Sequence, residues 1–189
     1  MPSELVARKV TGQLDDLCRR FIAASTLVFA ATRRPDGVLD VTPRGDPGGF
    51  VHVLDDHTLA FPDRPGNFLM DTFENVIRDG QIGLIFVIPG HRDTLRVSGE
   101  ARLVRDARLG AQLAVNGKPS QYVILIRVKR VLCHCPKAFI RGQVWSPDDW
   151  PDTSDVPTLA EMAKAHTGLA TPLSEIEDRI AEDERDNLY

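Results

Sequence analysis

Between Thr26 and Cys135 the chain is cut into short β-type runs by tight-turn signals. That rhythm constrains its fold more than any other feature. TLVFAATRR (26–34) and VLDVTPRGD (38–46) flank PDG at 35–37, where Pro presets one turn dihedral and Gly tolerates positive φ. PGG at 47–49 leads into FVHVLD, with Phe50, His52 and Leu54 on one face and Val51 and Val53 on the other. DDH at 55–57 returns the chain as TLAFPD. QIGLIFVIPG, DTLRVSGEARLVR and SQYVILIRVKRVLCHC continue the series, and Gly99 inside the second of these marks a bulge or a barrel bend. Connections this short join antiparallel neighbours, because a parallel crossover needs a dozen residues or more. The expectation is a mainly β chain with peripheral helices, an antiparallel barrel of six to seven strands.

Helical spacing occurs in few places. Leu14, Leu17, Cys18, Phe21 and Ile22 predict a first helix over 13–24. Leu69, Phe73, Val76 and Ile77 predict another over Asn67–Arg78, between the fourth and fifth strands, with Gly80 as its stop. DARLGAQLAV reads as a short helix. LAFPDRPG (59–66), with two prolines and a glycine, reads as a shaped loop rather than a central strand. After Trp150 a proline- and aspartate-rich stretch precedes helices at about 157–166 and 173–185, the last carrying Leu173, Ile176 and Ile180 against a dense acidic face. This divides the chain into a barrel domain at 1–150 and a helical acidic extension at 151–189 packed on the same domain.

Bulk properties narrow the partners. A chain of 189 residues can build one domain with a real core. Its net charge of −4 does not favour nucleic acid or an anionic membrane. The longest apolar run, IGLIFVI at 82–88, has strand length, far short of the ~18 residues that span a bilayer. The first residues lack the apolar core of a secretory signal. Three cysteines, an odd number, fit free thiols in a reducing cytoplasm.

LCHCPKAFIR (132–141) raises the question of metal or thiol chemistry. On a strand Cys133 and Cys135 face one way and His134 the other, and no second cluster completes a four-ligand set, so no metal site is expected. Cys135, with His134 and Lys137 near it in sequence, reads either as a reactive thiol or as a small packed hydrophobe, the latter being the simpler reading for Cys133 as well. Anion binding gathers more signals. PDRPGN (62–67) sets Arg64 in a rigid loop, with Gly66 and Asn67 at the start of the following helix and Asn67 as its cap. A helix N-terminus offers free N–H groups to a phosphate, although a structural turn with an ordinary cap is equally open. Arg44, Arg96, Lys137 and Arg141 add basic groups on or beside strands. Neither GxGxxG nor a P-loop is present.

Taken in order, VLDVTPRGD, GFVHVLDDHTLAFPDRPGN, QIGLIFVIPG, DTLRVSGEARLV and HCPKAFIR with Trp145 resemble the pyridoxamine 5′-phosphate oxidase-like superfamily of FMN-binding split β-barrels. The likeness spans about residues 15–150 and is nearest to its flavin-nucleotide-binding group. It implies a homodimer with FMN at the interface. It assigns cofactor contacts to Arg44, to Pro62, Asp63, Arg64 and Asn67, to Thr94 and Arg96, and to Lys137, Arg141 and Trp145. It further implies an FMN-dependent oxidoreductase, a reductase or an oxidase, acting on a small organic molecule, with the flavin carrying the chemistry. The Ser-Arg-Lys run that vitamin B6 oxidases carry in the phosphate loop is absent, which argues against that substrate. Two alternatives stand beside this reading. One is a non-catalytic carrier or sensor of a flavin or of a related cofactor such as haem or deazaflavin. The other is a structural barrel whose basic residues are surface decoration.

Overall fold

In the computed structural model, which describes residues 4, 8–66 and 69–189, the strands form one antiparallel eight-stranded sheet. They are β1 (Val10–Thr11), β2 (Leu27–Arg33), β3 (Leu39–Gly45), β4 (His52–Asp55), β5 (Thr58–Pro62), β6 (Gln81–Val87), β7 (Thr94–Val104) and β8 (Val123–His134). The spatial order is β3-β2-β6-β7-β8-β5-β4, with β1 pairing β8 off that path. The sheet curls around its core without closing, as a split barrel does.

Alternation along the strands builds that core. Val28 and Ala30 of β2, Ile82, Leu84 and Phe86 of β6, Leu95 and Val97 of β7, and Ile124, Ile126 and Val128 of β8 all point inward and are buried. Phe61 of β5 packs tilted against Phe50 at 5.9 Å between ring centroids. The β7–β8 register shifts between Ser98 and Gly99, the bulge anticipated there. A Cβ on Gly99 would stand 2.1 Å from the Arg127 carbonyl oxygen, so only glycine fits where the two backbones meet.

Two helices pack their apolar residues onto the core of the open sheet. In α1 (Asp16–Ala24), Asp15 caps the N-terminus by accepting from the Cys18 N–H at 2.8 Å. Ile22 enters the core, whereas Leu17, expected on the apolar stripe, faces outward. The second helix, α2 (Asp71–Arg78), starts four residues later than the sequence suggests. Met70, at φ 58°, stands at its N-cap with no side-chain cap. Asn67, expected in that role, lies outside the described residues. Phe73 and Val76 are buried as predicted, but Leu69 and Ile77 are exposed. Their places inside are taken by Thr72 and Asn75, and the Asn75 amide donates to Thr32 Oγ1 at 3.0 Å.

Strand β5 also runs further than expected, through Pro62. Strand β4 pairs with it no further than Ala60, so at Pro62 the strand has a neighbour on one side only, an edge position that proline tolerates. Short α3 (Ala107–Gln112) connects β7 to β8, and α4 (Lys137–Arg141) follows β8. Beyond a 3₁₀ turn at Pro147–Asp149, α5 (Leu159–Thr167) and α6 (Leu173–Asp186) form a helical hairpin. A capping box between Thr158 and Glu161 starts α5, and Leu173, Ile176 and Ile180 are half-buried.

Candidate functional site

Edge strand β3, the loop from β5 to α2, and the segment entering β8 enclose a cleft of about 680 Å³. Alternation along β3 sets Asp40, Thr42 and Arg44 on its half-buried face. The first turn of α2 contributes Thr72 and Phe73, and the opposite wall holds Lys118 and Tyr122. The Phe73 and Tyr122 rings meet edge to face at 5.6 Å.

Buried Ser120 fixes the walls to each other. The Asp63 N–H donates to Ser120 Oγ at 3.0 Å and to the Tyr122 carbonyl at 3.1 Å, and the Ser120 hydroxyl lies 2.6 Å from that same carbonyl oxygen. Gly110 lets α3 approach: a Cβ there would sit 2.2 Å from the Ser120 carbonyl oxygen. Lys118 follows a turn in which Asn116 and Gly117 both have positive φ, 51° and 75°.

The cations differ in how tightly they are held. Arg64 Nε donates to Asp46 Oδ2 at 2.6 Å, and its Nη2 donates to the Leu113 carbonyl at 2.8 Å. Its side chain is 15 % exposed and that of Asp46 is 1 % exposed, so this is a buried ion pair that anchors the loop. Arg44 is more open. Its Nη2 donates to Thr72 Oγ1 at 3.1 Å, and its Nη1 is 3.9 Å from Asp63 Oδ1. Burial pushes the Asp63 carboxyl above the ordinary carboxylate range, with Arg44 and then the Arg64 backbone N–H pulling it back. Lys118 Nζ donates to the main-chain oxygen of Tyr189 at 2.5 Å.

Of the residues singled out in the sequence, Arg44, Asp63 and Arg64 meet in this cleft. Pro62 ends β5 behind it, buried. Asn67 lies outside the described residues, and Thr94, Arg96, Lys137, Arg141 and Trp145 lie away from the cleft. Thr94 opens β7 opposite His134, Arg96 is exposed between Ile85 and Leu132, and Lys137 and Arg141 are exposed on α4. Trp145 donates its indole N–H to the His91 carbonyl at 2.9 Å and meets Phe139 edge to face. Cys133 and Cys135, read as packed hydrophobes, are both exposed. Cys18 is half-buried, and burial and the Asp15 side chain push its thiol up to about 11.

Sequence reading missed Lys118, Tyr122, Thr72, Asp46 and Tyr189. Asn116-Gly117, a hairpin-turn dipeptide, was the available signal for the first two, since it fixes a turn just before Lys118. Nothing local marks Tyr189.

The cleft borders an apolar outer face. Pro43 of β3, Phe29 of β2, Ile85 of β6, Arg96 of β7 and Leu132 of β8 form one cross-strand row. Leu39, Val41, Phe29 and Ile85 on this face are exposed. Strand spacing puts Arg96 roughly 14 Å from Pro43 along that row.

Comparison with known proteins agrees with this architecture. Residues 14–135, more than half of the chain, match the family model described as pyridoxamine 5′-phosphate oxidase. A structure of HupZ from Group A Streptococcus superposes with a TM-score of 0.52 at 19 % identity, covering 65 % of this chain and 98 % of that one. A candidate pyridoxamine 5′-phosphate oxidase from Lactobacillus delbrueckii gives 0.50 at 25 % identity, covering 65 % and 95 %. No curated protein sequence matches the chain. Among the described residues no helix is long and apolar enough to cross a membrane. The arrangement of strands, the cleft beside the edge strand and the family match lead to one conclusion: the chain belongs to the pyridoxamine 5′-phosphate oxidase family of flavin-binding oxidoreductases.

Proposed function

We propose that this protein is an FMN-dependent oxidoreductase that works on a small organic molecule in the cytoplasm, as a homodimer with FMN at the interface. The observation that carries this reading is the meeting of the cleft and the apolar face. Arg44 and Lys118 stand beside Phe73 and Tyr122, in a cleft whose outer wall, β3, is also the edge of the exposed Leu39–Val41–Phe29–Ile85 surface. A cleft of about 680 Å³ falls within the range of small-ligand sites.

The donor set fits a flavin mononucleotide. Arg44 and Lys118 would hold the phosphate. Val41, Phe73 and Tyr122 would wall the ring. Arg64, already paired with Asp46, would hold the loop and lend the phosphate less than Arg44 and Lys118. A second copy packed on the apolar face would cover Phe29 and Ile85 and bring its own Arg96, and with it the Thr94 and Lys137–Trp145 region, toward the cofactor. Bound there, the flavin would supply two-electron transfer, and the chain would supply charge, orientation and exclusion of water.

Titration with FMN, followed by flavin fluorescence, together with sedimentation, tests both halves. Saturable quenching at one FMN per chain and a dimer are expected, with turnover on NAD(P)H and an electron acceptor separating the enzyme from a passive flavin carrier. A monomer that leaves FMN fluorescence unchanged would refute the proposal.

A further inference from the structure

Tyr189 lies outside the family-matched residues 14–135, yet it lines the cleft. Helix α6 ends at Asp186, and the next three residues carry the chain to the cleft mouth. Two features hold Tyr189 there. Its main-chain oxygen accepts from Lys118 Nζ at 2.5 Å. Its phenol stands against the Asp46–Arg64 pair, where burial and then the Asp46 carboxylate raise its pKa.

The rest of the hairpin is lightly attached. Helix α6 has no buried residue, Ala160 is the one buried residue of α5, and Leu188 next to Tyr189 is exposed. The tail therefore makes its specific polar contacts inside the cleft and few elsewhere.

What Tyr189 brings is an aromatic ring beside an oxygen acceptor for Lys118. A flavin mononucleotide brings the same two elements, a ring system and an anionic oxygen group. We propose that Tyr189 is an internal competitor for the cleft: the tail occupies Lys118 when no ligand is bound and leaves when an aromatic phosphate enters. This rests on the flavin reading above. Competition of this kind lowers apparent affinity by the fraction of time the cleft is open, so a tail closed about 90 % of the time weakens binding about tenfold.

The test compares FMN titrations of the wild-type chain and Tyr189→Ala, with amide hydrogen exchange of residues 187–189 measured with and without saturating FMN. The proposal expects Tyr189→Ala to bind FMN about threefold to tenfold more tightly, and exchange at 187–189 in the wild type to speed up when FMN is added. FMN binding by Tyr189→Ala alone would be the same effect in extreme form. Unchanged affinity in Tyr189→Ala, or weaker binding with slower exchange at 187–189, overturns the competitor and leaves the flavin reading standing. Absence of FMN binding in both proteins overturns both.

Discussion

The Arg64–Asp46 pair should respond unequally to loss of its two members, and burial sets the direction. The Asp46 side chain is 1 % exposed, and its Oδ1 makes no hydrogen bond among the described residues, so Arg64 Nε at 2.6 Å is its charged partner. Arg64→Ala strands a dry carboxylate, at a cost of about 3–5 kcal/mol. Asp46→Ala leaves a guanidinium that is 15 % exposed and still donates to the Leu113 carbonyl at 2.8 Å, with the Asp63 carbonyl at 3.4 Å. That loss should be nearer 1–3 kcal/mol, roughly the scale of a hydrogen bond to a charged group. The double variant Arg64→Met/Asp46→Leu removes both charges and should cost less than the sum of the single changes, since neither charge is left unpaired. Urea unfolding monitored by circular dichroism reads all three. With a slope of about 2 kcal/mol/M, a loss of about 4 kcal/mol moves the midpoint by roughly 2 M. Equal midpoints for the two single variants, or a lower one for Asp46→Ala, would refute the assignment of Asp46 as the more dependent partner.

Two further outcomes can be checked on the same protein. Gly99→Ala places a methyl group 2.1 Å from the Arg127 carbonyl oxygen and must spread β7 from β8; a loss of about 3 kcal/mol and a Tm lower by roughly 6–12 °C are expected, and a shift below about 2 °C would show that the bulge relaxes freely. Asp63 has its folded pKa raised above the ordinary 3.8, chiefly by burial, so its contribution to stability is fully present below that value and lost as pH rises through the folded pKa; Asp63→Asn should therefore unfold at higher urea than wild type at pH 7, with the gap closing on acidification, and a wild type more stable than the variant at pH 7 contradicts this.

The positions of the strands along the chain were legible because turn chemistry is local, whereas their spatial order, with β2 beside β6 and β5 beside β8, was not. PDG and DDH mark the β2–β3 and β4–β5 hairpins, and Gly99 announced its bulge inside an otherwise alternating strand; PGG instead leads from β3 to β4, which stand at opposite ends of the sheet. The start of α2 was not legible. Asn67 is a good cap by type, whereas the structure puts Met70, a residue with no preference for the left-handed region, at that position. The stripe of α2 was misread for a related reason. Thr72 and Asn75 are buried because Arg44 and Thr32, 28 and 43 residues away in sequence, supply partners for their polar groups. The site divides the same way. Arg44, Asp63 and Arg64 sit in compact motifs that advertise a turn and a charge together. Lys118 and Tyr189 meet across 71 residues, and only the folded chain brings them into one cleft. Arg64 itself was found, but its commitment to Asp46 required knowing that β3 ends beside the loop that leaves β5.

That commitment changes which cation an anionic ligand can recruit. Arg64 is held by a buried carboxylate at 2.6 Å and a carbonyl at 2.8 Å, and exchanging those for a phosphate would leave Asp46 dry. Arg44 is opposed by Asp63 at 3.9 Å, beyond hydrogen-bond length, and that carboxyl is the one whose charge burial disfavours. Lys118 bonds an oxygen belonging to a thinly attached tail. Ranked by how little must be broken, Arg44 and Lys118 come first and Arg64 last. Bound phosphate would therefore sit between the edge strand β3 and the Lys118 turn, with Arg64 acting as the rivet that keeps the loop in place. Arg44 has a hydroxyl of Thr72 and a carboxyl whose charge burial disfavours as its partners, and Lys118 has the tyrosine that, on the proposal above, gives way to a ligand. On the flavin reading, the cleft would exchange internal partners for a ligand at its Arg44–Lys118 end, while the Arg64–Asp46 end stays fixed.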